Sequence, residues 1–562
     1  MTTMNCDTAR RMLLAAADKI IRNEPYLTRT DSEIGDGDHG IGMKNGMTAA
    51  KRYLEGAAGE TNVYALYAGM AEVMQEAMGG ASGMIFSALF AGDAARKAPA
   101  DMLTPAALAA QMADGLRSIQ ALGHAQVGDK TMVDALAPAV AAMTAETASF
   151  EAMFTAGEAA AYEGMEKTKD YTARFGRAKN LGERAIGHKD AGAVSTWLIL
   201  AGMKDFVCGT ETPDPALPAE PEQAARSAAA RGAKKIINDP ADVVREETEG
   251  FLAAFGQDIE AVPGVNGLVR KTIPAGKTAL VIGGGSGHEP MFAFFLGENL
   301  ADAAASGNVF TSPDPVTIEK TALAAERGGG VLFLYGNYAG DNLNFDKAAA
   351  ELAKKGVRSM TVRVWDDIAS APAERITDRR GIGGDVLMLK IAGAACAALP
   401  LEEAYRVAAK ARDNLFSIGF GLEGATIPGQ SEPIFTLPPD QMEYGLGIHG
   451  EPGVRRIAMQ RADAIVTELT DALLAESGIR AGDTVCTYVN GLGSTTLMEL
   501  MIMNRKLALL LRERGVRVHD MDVNSLVTTM EMAGASISLM KMDEELVRYY
   551  DEPCASPYYT KR

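Results

Sequence analysis

Apolar residues recur every three to four positions through the first 208 residues. Met12, Leu13, Ala16 and Ile20 form one such stripe, and Leu108, Met112, Leu116, Ile119 and Leu122 form another. That spacing puts each set on one face of an amphipathic helix. Ala, Met, Leu, Glu and Lys dominate and β-branched residues are sparse, which favours helix further. Gly-rich turns at 35–46, 79–83 and 186–192 interrupt the pattern. Residues 1–208 therefore read as an all-α bundle with its chemistry in the turns. Residues 209–231 carry four prolines and little that could form a core, the composition of a linker. From 232 to 562 short β-rich runs take over, at 278–282, 330–335, 359–364 and 484–489. Helical patterns at 315–327, 346–355 and 386–412 lie between them. This alternation predicts an α/β architecture with buried, largely parallel strands. A Pro-rich stretch at 428–439 is expected to divide this half into two lobes.

Composition narrows the function classes. A chain of 562 residues exceeds one core, so two or three domains are expected. A formal charge of −18 argues against nucleic acid or an anionic membrane as partner. The five cysteines, Cys6, Cys208, Cys396, Cys486 and Cys554, are scattered and form no CxxC pair. That pattern fits a reducing cytoplasm and neither a disulfide framework nor a zinc knuckle. No signal pattern opens the chain, and no apolar run approaches the roughly 18 residues of a membrane span.

The densest chemistry in the helical half is Asp31-Ser32-Glu33-Ile34-Gly35-Asp36-Gly37-Asp38-His39-Gly40. Asp31, Asp36 and Asp38 lie within eight residues, separated by glycines that permit tight turns. Carboxylates this close repel unless a hard cation sits among them, which points to Mg²⁺ holding a nucleotide's phosphates. Met78-Gly79-Gly80-Ala81-Ser82-Gly83 opens a helix and leaves backbone N–H groups for a phosphate. Gly128-Asp129-Lys130-Thr131-Met132-Val133-Asp134 reads on its own as a helix cap. Arg177 and the turn 187–192 offer further phosphate and ribose contacts.

In the second half, strand 278–282 runs into Gly283-Gly284-Gly285-Ser286-Gly287-His288-Glu289-Pro290. The spacing completes neither GxGxxG nor a Walker loop, so this turn is expected to lay a small polar ligand on the backbone, with His288 projecting into the site. Strand 330–335 ends in Gly336-Asn337-Tyr338-Ala339-Gly340-Asp341, and ligands collect beyond the carboxyl ends of parallel strands. His449 stands in Gly445-Leu446-Gly447-Ile448-His449-Gly450-Glu451-Pro452-Gly453. Of six histidines, four (39, 188, 288 and 449) fall inside Gly-rich turns, where core packing gives them little purpose.

These motifs together resemble the dihydroxyacetone kinase family. The N-terminal half is similar to its nucleotide-binding L domain, through the loop ending GDGDHG, MGGASG, GDKTMVDAL and GRAKNLGERAIGHKDAG. The C-terminal half is similar to its ketose-binding K domain, through KKIINDP, GGGSGHEP, GNVFTSPDP, NYAGDNLNF and GIHGEPG. The resemblance covers nearly the whole chain, but the order is L then K, the reverse of the common single-chain arrangement.

The resemblance implies an eight-helix barrel followed by a two-lobed α/β domain. It implies two Mg²⁺ ions on Asp31, Asp36 and Asp38, with ATP as co-substrate. His39, Gly40, Ile41, Gly42, Ala81, Ser82, Gly123, Thr131, Met132, Arg177, Asp190, Ala191 and Gly192 would lie near the nucleotide. His449 would trap the ketose carbonyl as a covalent hemiaminal. His288 and Asp341 would bind and activate the accepting hydroxyl, with Gly285, Ser286 and Gly287 beside the substrate. The K domain is expected to pair into a homodimer. Two positions depart from the family pattern. Gly336 stands where many relatives have lysine, which suits a larger ketose such as erythrulose, and Ala191 stands where proline is usual. A phosphotransferase-linked kinase that uses bound ADP and a ketose-sensing regulator remain alternatives, as does FAD cyclisation as a side activity.

Overall fold

The computed structural model describes residues 1–35, 37–216 and 234–562. The chain forms two compact units, Met1–Ala225 and Arg226–Arg562.

Among the described residues the N-terminal unit holds nine α-helices: α1 (Cys6–Arg22), α2 (Glu24–Ser32), α3 (His39–Gly56), α4 (Val63–Met78), α5 (Gly80–Ala91), α6 (Pro105–Gly123), α7 (Val133–Ala145), α8 (Phe150–Lys167) and α9 (Ala191–Cys208). Polar caps set several of their starts. Asn5, Asn62, Thr104, Ser149 and Asp190 each accept a first-turn N–H with the side chain. Such a cap stabilises a helix by about 1 kcal/mol. The apolar stripes of α1 and α6 meet in one core, with Met12, Leu13, Ile20, Leu108, Met112 and Ile119 buried.

Starting from α1 and passing over α2, each helix packs on the next, and α9 packs back on α1, while α2 lies against α3 and α9. The chain reverses at each connection, so the turns at 33–35, 37–38, 79, 124–132 and 168–190 fall at one end of the unit. The short pair β1 (Met4–Asn5) and β2 (Met102–Leu103) closes the other end. Helix α9 is long and apolar enough by length and composition to cross a membrane, but 67% of it is buried within the protein. It packs against α1 and α8.

The chain does not leave this unit at residue 209. Lys19 is 2% exposed, and its ammonium lies 3.4 Å from Asp205 and 3.1 Å from Asp214, with the Thr212 carbonyl as a third partner. A buried ammonium demands such partners, and residues 212–214 supply two of them. The expected linker therefore begins later than 209. Its remainder from 217 to 231 lies outside the described residues.

The C-terminal unit contains two six-stranded sheets. The first runs in the order β3 (Ile259–Ala261), β4 (Gly267–Arg270), β6 (Ala303–Val309), β5 (Ala279–Ser286), β7 (Val331–Gly336), β8 (Ser359–Val364). From β6 to β8 the strands are parallel. Alternate residues of β5 and β7 serve two cores: Val281 and Phe333 face α11 (Pro315–Ala325) and α12 (Ala339–Lys354). Leu280 and Leu334 face α13 (Asp385–Ala398) and α14 (Leu401–Asp413). Burial on both faces explains why these strands read as unbroken apolar runs.

The second sheet runs β11 (Arg455–Ala458), β10 (Gln441–Tyr444), β9 (Leu415–Glu423), β14 (Ala533–Met542), β12 (Thr484–Gly491), β13 (Arg517–Asn524). Here the expectation of largely parallel strands fails. Among paired neighbours only β12 and β13 are parallel, because among those pairs only they are joined through a crossover helix, α16 (Leu497–Glu513). The lobes also divide earlier than 428–439. Helix α14 ends at Asp413 on the first sheet, and β9 begins the second at Leu415. The Pro-rich stretch is a loop between the paired strands β9 and β10.

Candidate functional site

The glycine run after the first strand is not a turn. Gly283, Gly284 and Gly285 continue β5. A Cβ at these positions would come within 2.4 Å of the Ala305 carbonyl, 2.4 Å of the Phe292 ring and 2.6 Å of the Thr311 nitrogen. Close approach of neighbours, more than ligand contact, accounts for these glycines. The Ser286 hydroxyl is donated to the Gly307 carbonyl at 2.8 Å. The turn comes at Gly287, whose φ of +98° suits glycine and whose Cβ would meet the Phe310 ring at 2.7 Å.

That turn delivers His288 into a buried pocket at the carboxyl end of β5. His288 is 2% exposed, and its Nδ1–H donates to the Thr528 carbonyl at 2.6 Å. Its Nε2 lies 3.1 Å from Nε2 of His449. The loop after β10 carries His449, which is 7% exposed. Glu451 holds that loop from within: one carboxylate oxygen accepts the His449 backbone N–H at 3.0 Å and the other lies 3.1 Å from Nδ1. Behind it, Arg380 donates to Asp367 through Nε and Nη2 at 3.0 and 2.7 Å. Burial, with His449 beside it, pushes the His288 imidazole down to about 3, so this ring is the neutral partner.

Asp341 stands in the first turn of α12, where the helix dipole favours a carboxylate. It does not cap the helix: Tyr338 holds the N-cap position and no side chain caps it. The ring of Tyr338 packs edge-on against His449 with centroids 4.7 Å apart, and its hydroxyl donates to the Gly381 carbonyl at 2.9 Å. Gly336 lies beside the same ring, where a Cβ would sit 3.3 Å from it. The space that a side chain at Gly336 would enter is thus bordered by Tyr338. Structure therefore joins His288 to His449 directly and brings the start of α12 against them through Tyr338. Sequence reasoning gave no role to Glu451, Arg380, Tyr338 or Thr528. Glu451 stands two residues after His449 and Tyr338 three before Asp341, inside motifs already singled out; Arg380 and Thr528 carry no local signal.

In the N-terminal unit, Asp31 lies in the last turn of α2 and reaches toward the start of α3. Its carboxylate accepts the Gly37 N–H at 2.9 Å and the His39 N–H at 3.4 Å. Asp38 occupies the N-cap position of α3. Asp36 lies outside the described residues. Among the described residues no three acidic, His or Cys side chains gather as a metal-holding group. The donor set is nonetheless of the right kind, since carboxylate oxygens are the ligands Mg²⁺ takes. His39 turns inward, with Nε2 2.8 Å from the Ser195 hydroxyl, while Gly40, Ile41 and Gly42 form the first turn of α3.

Other predicted nucleotide residues fall at the same end. Ala81 and Ser82 lie in the first turn of α5, which has no side-chain cap. Gly123 ends α6, and Thr131 and Met132 lead into α7. Asp190 caps α9 through the Ala193 N–H at 2.7 Å, and Ala191 and Gly192 begin that helix. Burial raises the Asp190 carboxyl to about 7. Arg177 opens a 3₁₀ segment, Arg177–Ala185. Two contacts knit the turns together. Buried Lys130 donates to the carbonyls of Thr168 and His188, both at 2.6 Å, and His188 Nδ1 lies 2.9 Å from Glu33.

Comparison with known proteins agrees with this division. A Dak1 domain matches residues 249–558 and a DAK2 domain matches residues 33–205. The chain is 38% identical over 329 residues to the dihydroxyacetone-binding subunit DhaK of a PTS-dependent dihydroxyacetone kinase from Listeria innocua, covering 58% of this chain and 99% of that protein. It is 42% identical over 332 residues to L-erythrulose kinase of Pectobacterium atrosepticum. That match covers 58% of this chain and 56% of the relative, so the chain spans about half the length of the erythrulose kinase it matches. Among solved structures, the dihydroxyacetone kinase of C. freundii superposes with a TM-score of 0.53 at 29% identity, over 58% of this chain and 60% of that one. The Dha-DhaQ operon co-activator superposes with a TM-score of 0.53 at 28% identity, over 57% of this chain and 98% of that one. The chain belongs to the dihydroxyacetone kinase family, with its DAK2 domain ahead of its Dak1 domain.

Proposed function

We propose that the protein is an ATP-dependent kinase of a short ketose, dihydroxyacetone or a tetrulose such as erythrulose. The observation that carries this reading is the Nε2-to-Nε2 contact of His288 and His449 at 3.1 Å. Both Nδ1 atoms already face acceptors, so a hydrogen bond between the two Nε2 atoms requires one proton. That proton is what ketose capture consumes. As His449 Nε2 bonds to the carbonyl carbon, the C=O π bond breaks and the stored proton passes through His288 to the carbonyl oxygen. The result is a neutral hydroxyl on a hemiaminal and a cationic imidazole ring, with no proton drawn from solvent. Covalent capture suits small polyols, which offer little apolar surface for binding, and rejects glycerol, which has no carbonyl.

Asp341 then accepts the proton of the hydroxyl that receives phosphate. The N-terminal unit supplies the donor. Asp31, Asp36 and Asp38 would hold Mg²⁺, expected as two ions, which neutralises phosphate charge during transfer. The turns at one end of that unit, from Gly40 to Gly42, Ala81 to Ser82, Gly123, Thr131 to Met132, Arg177 and Asp190 to Gly192, would surround the nucleotide. A structure of the C. freundii kinase with AMP-PNP and Mg²⁺ is among the superposable ones and supports this assignment. We read the closed succession of packed helices as an eight-helix barrel with α2 as an extra short helix. A homodimer through the C-terminal unit is part of the same reading.

The test is ADP release from ATP by the purified full chain with dihydroxyacetone, D-erythrulose or L-erythrulose. Release that depends on ketose and Mg²⁺, and vanishes in His449→Ala, is expected. Equal release by His449→Ala would overturn the covalent reading. A second reading, a ketose-responsive regulator, is favoured by the likeness to the Dha-DhaQ co-activator. Ketose binding without ADP release under any condition would decide for it.

A further inference from the structure

Glu451 is a buried carboxylate that turns both oxygens to one residue. Oε2 accepts the His449 backbone N–H at 3.0 Å and Oε1 lies 3.1 Å from the His449 Nδ1. It is 1% exposed. Arg380 and Asp367 stand behind it, 6% and 0% exposed. Two nitrogens of Arg380 go to Asp367, Nη2 also reaches the Gly445 carbonyl at 3.2 Å, and Nη1 lies 3.8 Å from Glu451. Two carboxylates thus share one guanidinium in a site nearly closed to water. The three rings against His449, those of His288, Phe310 and Tyr338, carry no positive charge: burial keeps His288 neutral and Tyr338 as the phenol.

We propose that Glu451, braced by Arg380 and Asp367, is a positioning residue that holds the Nδ1 proton of His449, directs Nε2 to the ketose carbonyl, and is the counter-charge to the alkylated ring. The proposal rests on the hemiaminal reading above. Capture adds no charge to the pocket, since the proton on Nε2 is exchanged for carbon and moves to the carbonyl oxygen. The same carboxylate therefore serves the ring before and after the bond forms. Without it the alkylated ring would be a buried cation without its nearest anion, and release would win. Gly447 shows how closely the brace is built, because a Cβ there would lie 2.1 Å from Glu451 and 2.5 Å from Arg380.

Two measurements test this, and they fail separately. In the full chain labelled with ¹⁵N-histidine and free of ketose, the His449 resonances, assigned with His449→Asn, are expected to show a protonated Nδ1. In Glu451→Gln they are expected to move, because the amide presents a donor to one of the two N–H groups that now find acceptors. A wild-type ring without a proton on Nδ1, or shifts unchanged in Glu451→Gln, overturns the proposal whether or not any ketose is a substrate. In the kinetic arm, Glu451→Gln is expected to raise the KM for dihydroxyacetone or L-erythrulose at least 30-fold while AMP-PNP affinity stays within twofold. Glu451→Asp, which keeps the charge, is expected to recover part of that loss. A fall in kcat alone with KM unchanged overturns the role in capture. If no ketose is turned over by the wild type, the kinase reading fails and the resonance arm still decides the role of Glu451. If Glu451→Gln does not fold, the wild-type resonances decide it.

Discussion

His288 and His449, 161 residues apart, face each other Nε2 to Nε2 at 3.1 Å, each with Nδ1 anchored on a different acceptor. His288 has a proton affinity far below that of a free imidazole because it is buried and has His449 beside it. An unfolded chain returns this ring to about 6.5. The unfolded state then binds more protons below that pH, so stability is lost as pH falls from about 6.5 toward 3. The loss is on the order of 2 kcal/mol between pH 6.5 and pH 5, from 1.36 kcal/mol per unit. His288→Asn, which cannot be protonated, is expected to flatten this slope. Urea unfolding of wild type and variant at pH 7 and pH 5 measures it, and equal slopes would show that the ring is not buried neutral.

Gly336 borders the pocket beside Tyr338. Gly336→Lys would place a cation and a long side chain where a Cβ already meets the Tyr338 ring at 3.3 Å. The expected outcome is a switch in preference toward the smaller ketose. The ratio of kcat/KM for dihydroxyacetone over erythrulose should rise about tenfold, equivalent to about 1.4 kcal/mol. An unchanged ratio would remove Gly336 from the determinants of substrate size.

Substitutions at Asp31 and Asp38 test the proposed metal role apart from loop shaping. Asp31 accepts the N–H groups of Gly37 and His39, whereas Asp38 makes no side-chain cap to α3. Both Asp31→Asn and Asp38→Asn are expected to weaken Mg²⁺-dependent AMP-PNP binding at least tenfold in calorimetry. Asp31→Ala, which removes the acceptor of the Gly37 and His39 N–H groups, should also destabilise the N-terminal unit by about 1 kcal/mol, as lost caps do. Unaltered nucleotide binding in both would dismiss the metal loop.

Lys130 lies inside a motif that reads locally as a helix cap, yet its ammonium spans two other turns. Lys130→Met would leave the Thr168 and His188 carbonyls without their buried donor. A cost of about 2–4 kcal/mol is expected for two such groups. Thermal unfolding should show it, together with weaker AMP-PNP binding. A variant as stable as the wild type would mean that water replaces the ammonium.

Helix and strand content was largely written in local pattern. The stripe Met12, Leu13, Ala16 and Ile20 is buried as its spacing requires, and the runs at 278–282 and 330–335 fall on β5 and β7, each of which begins one residue later. Strand β6 escaped notice because Ala303-Ala304-Ala305 carries no β-branched residue; burial between β5 and β4 holds it extended. Strand direction in the second sheet was not legible either, since it depends on whether a hairpin or a crossover helix joins two strands. The glycines at 283–285 read as a ligand turn, and only the neighbouring chains reveal that they make room for Ala305, Phe292 and Thr311.

By itself, then, the sequence determined most element types, the order of the two units and which side chains are candidates for chemistry. A histidine or aspartate between glycines lacks a packing role, and that absence is visible without coordinates. Tertiary structure decided which of these groups meet. The 3.1 Å contact of His288 with His449, the hold of Thr528 on one ring and of Glu451 on the other, and the Arg380–Asp367 brace join segments from five parts of the chain. Hydrogen bonds and charge in a buried pocket act over distances of a few ångströms, and separation along the sequence carries no information about them.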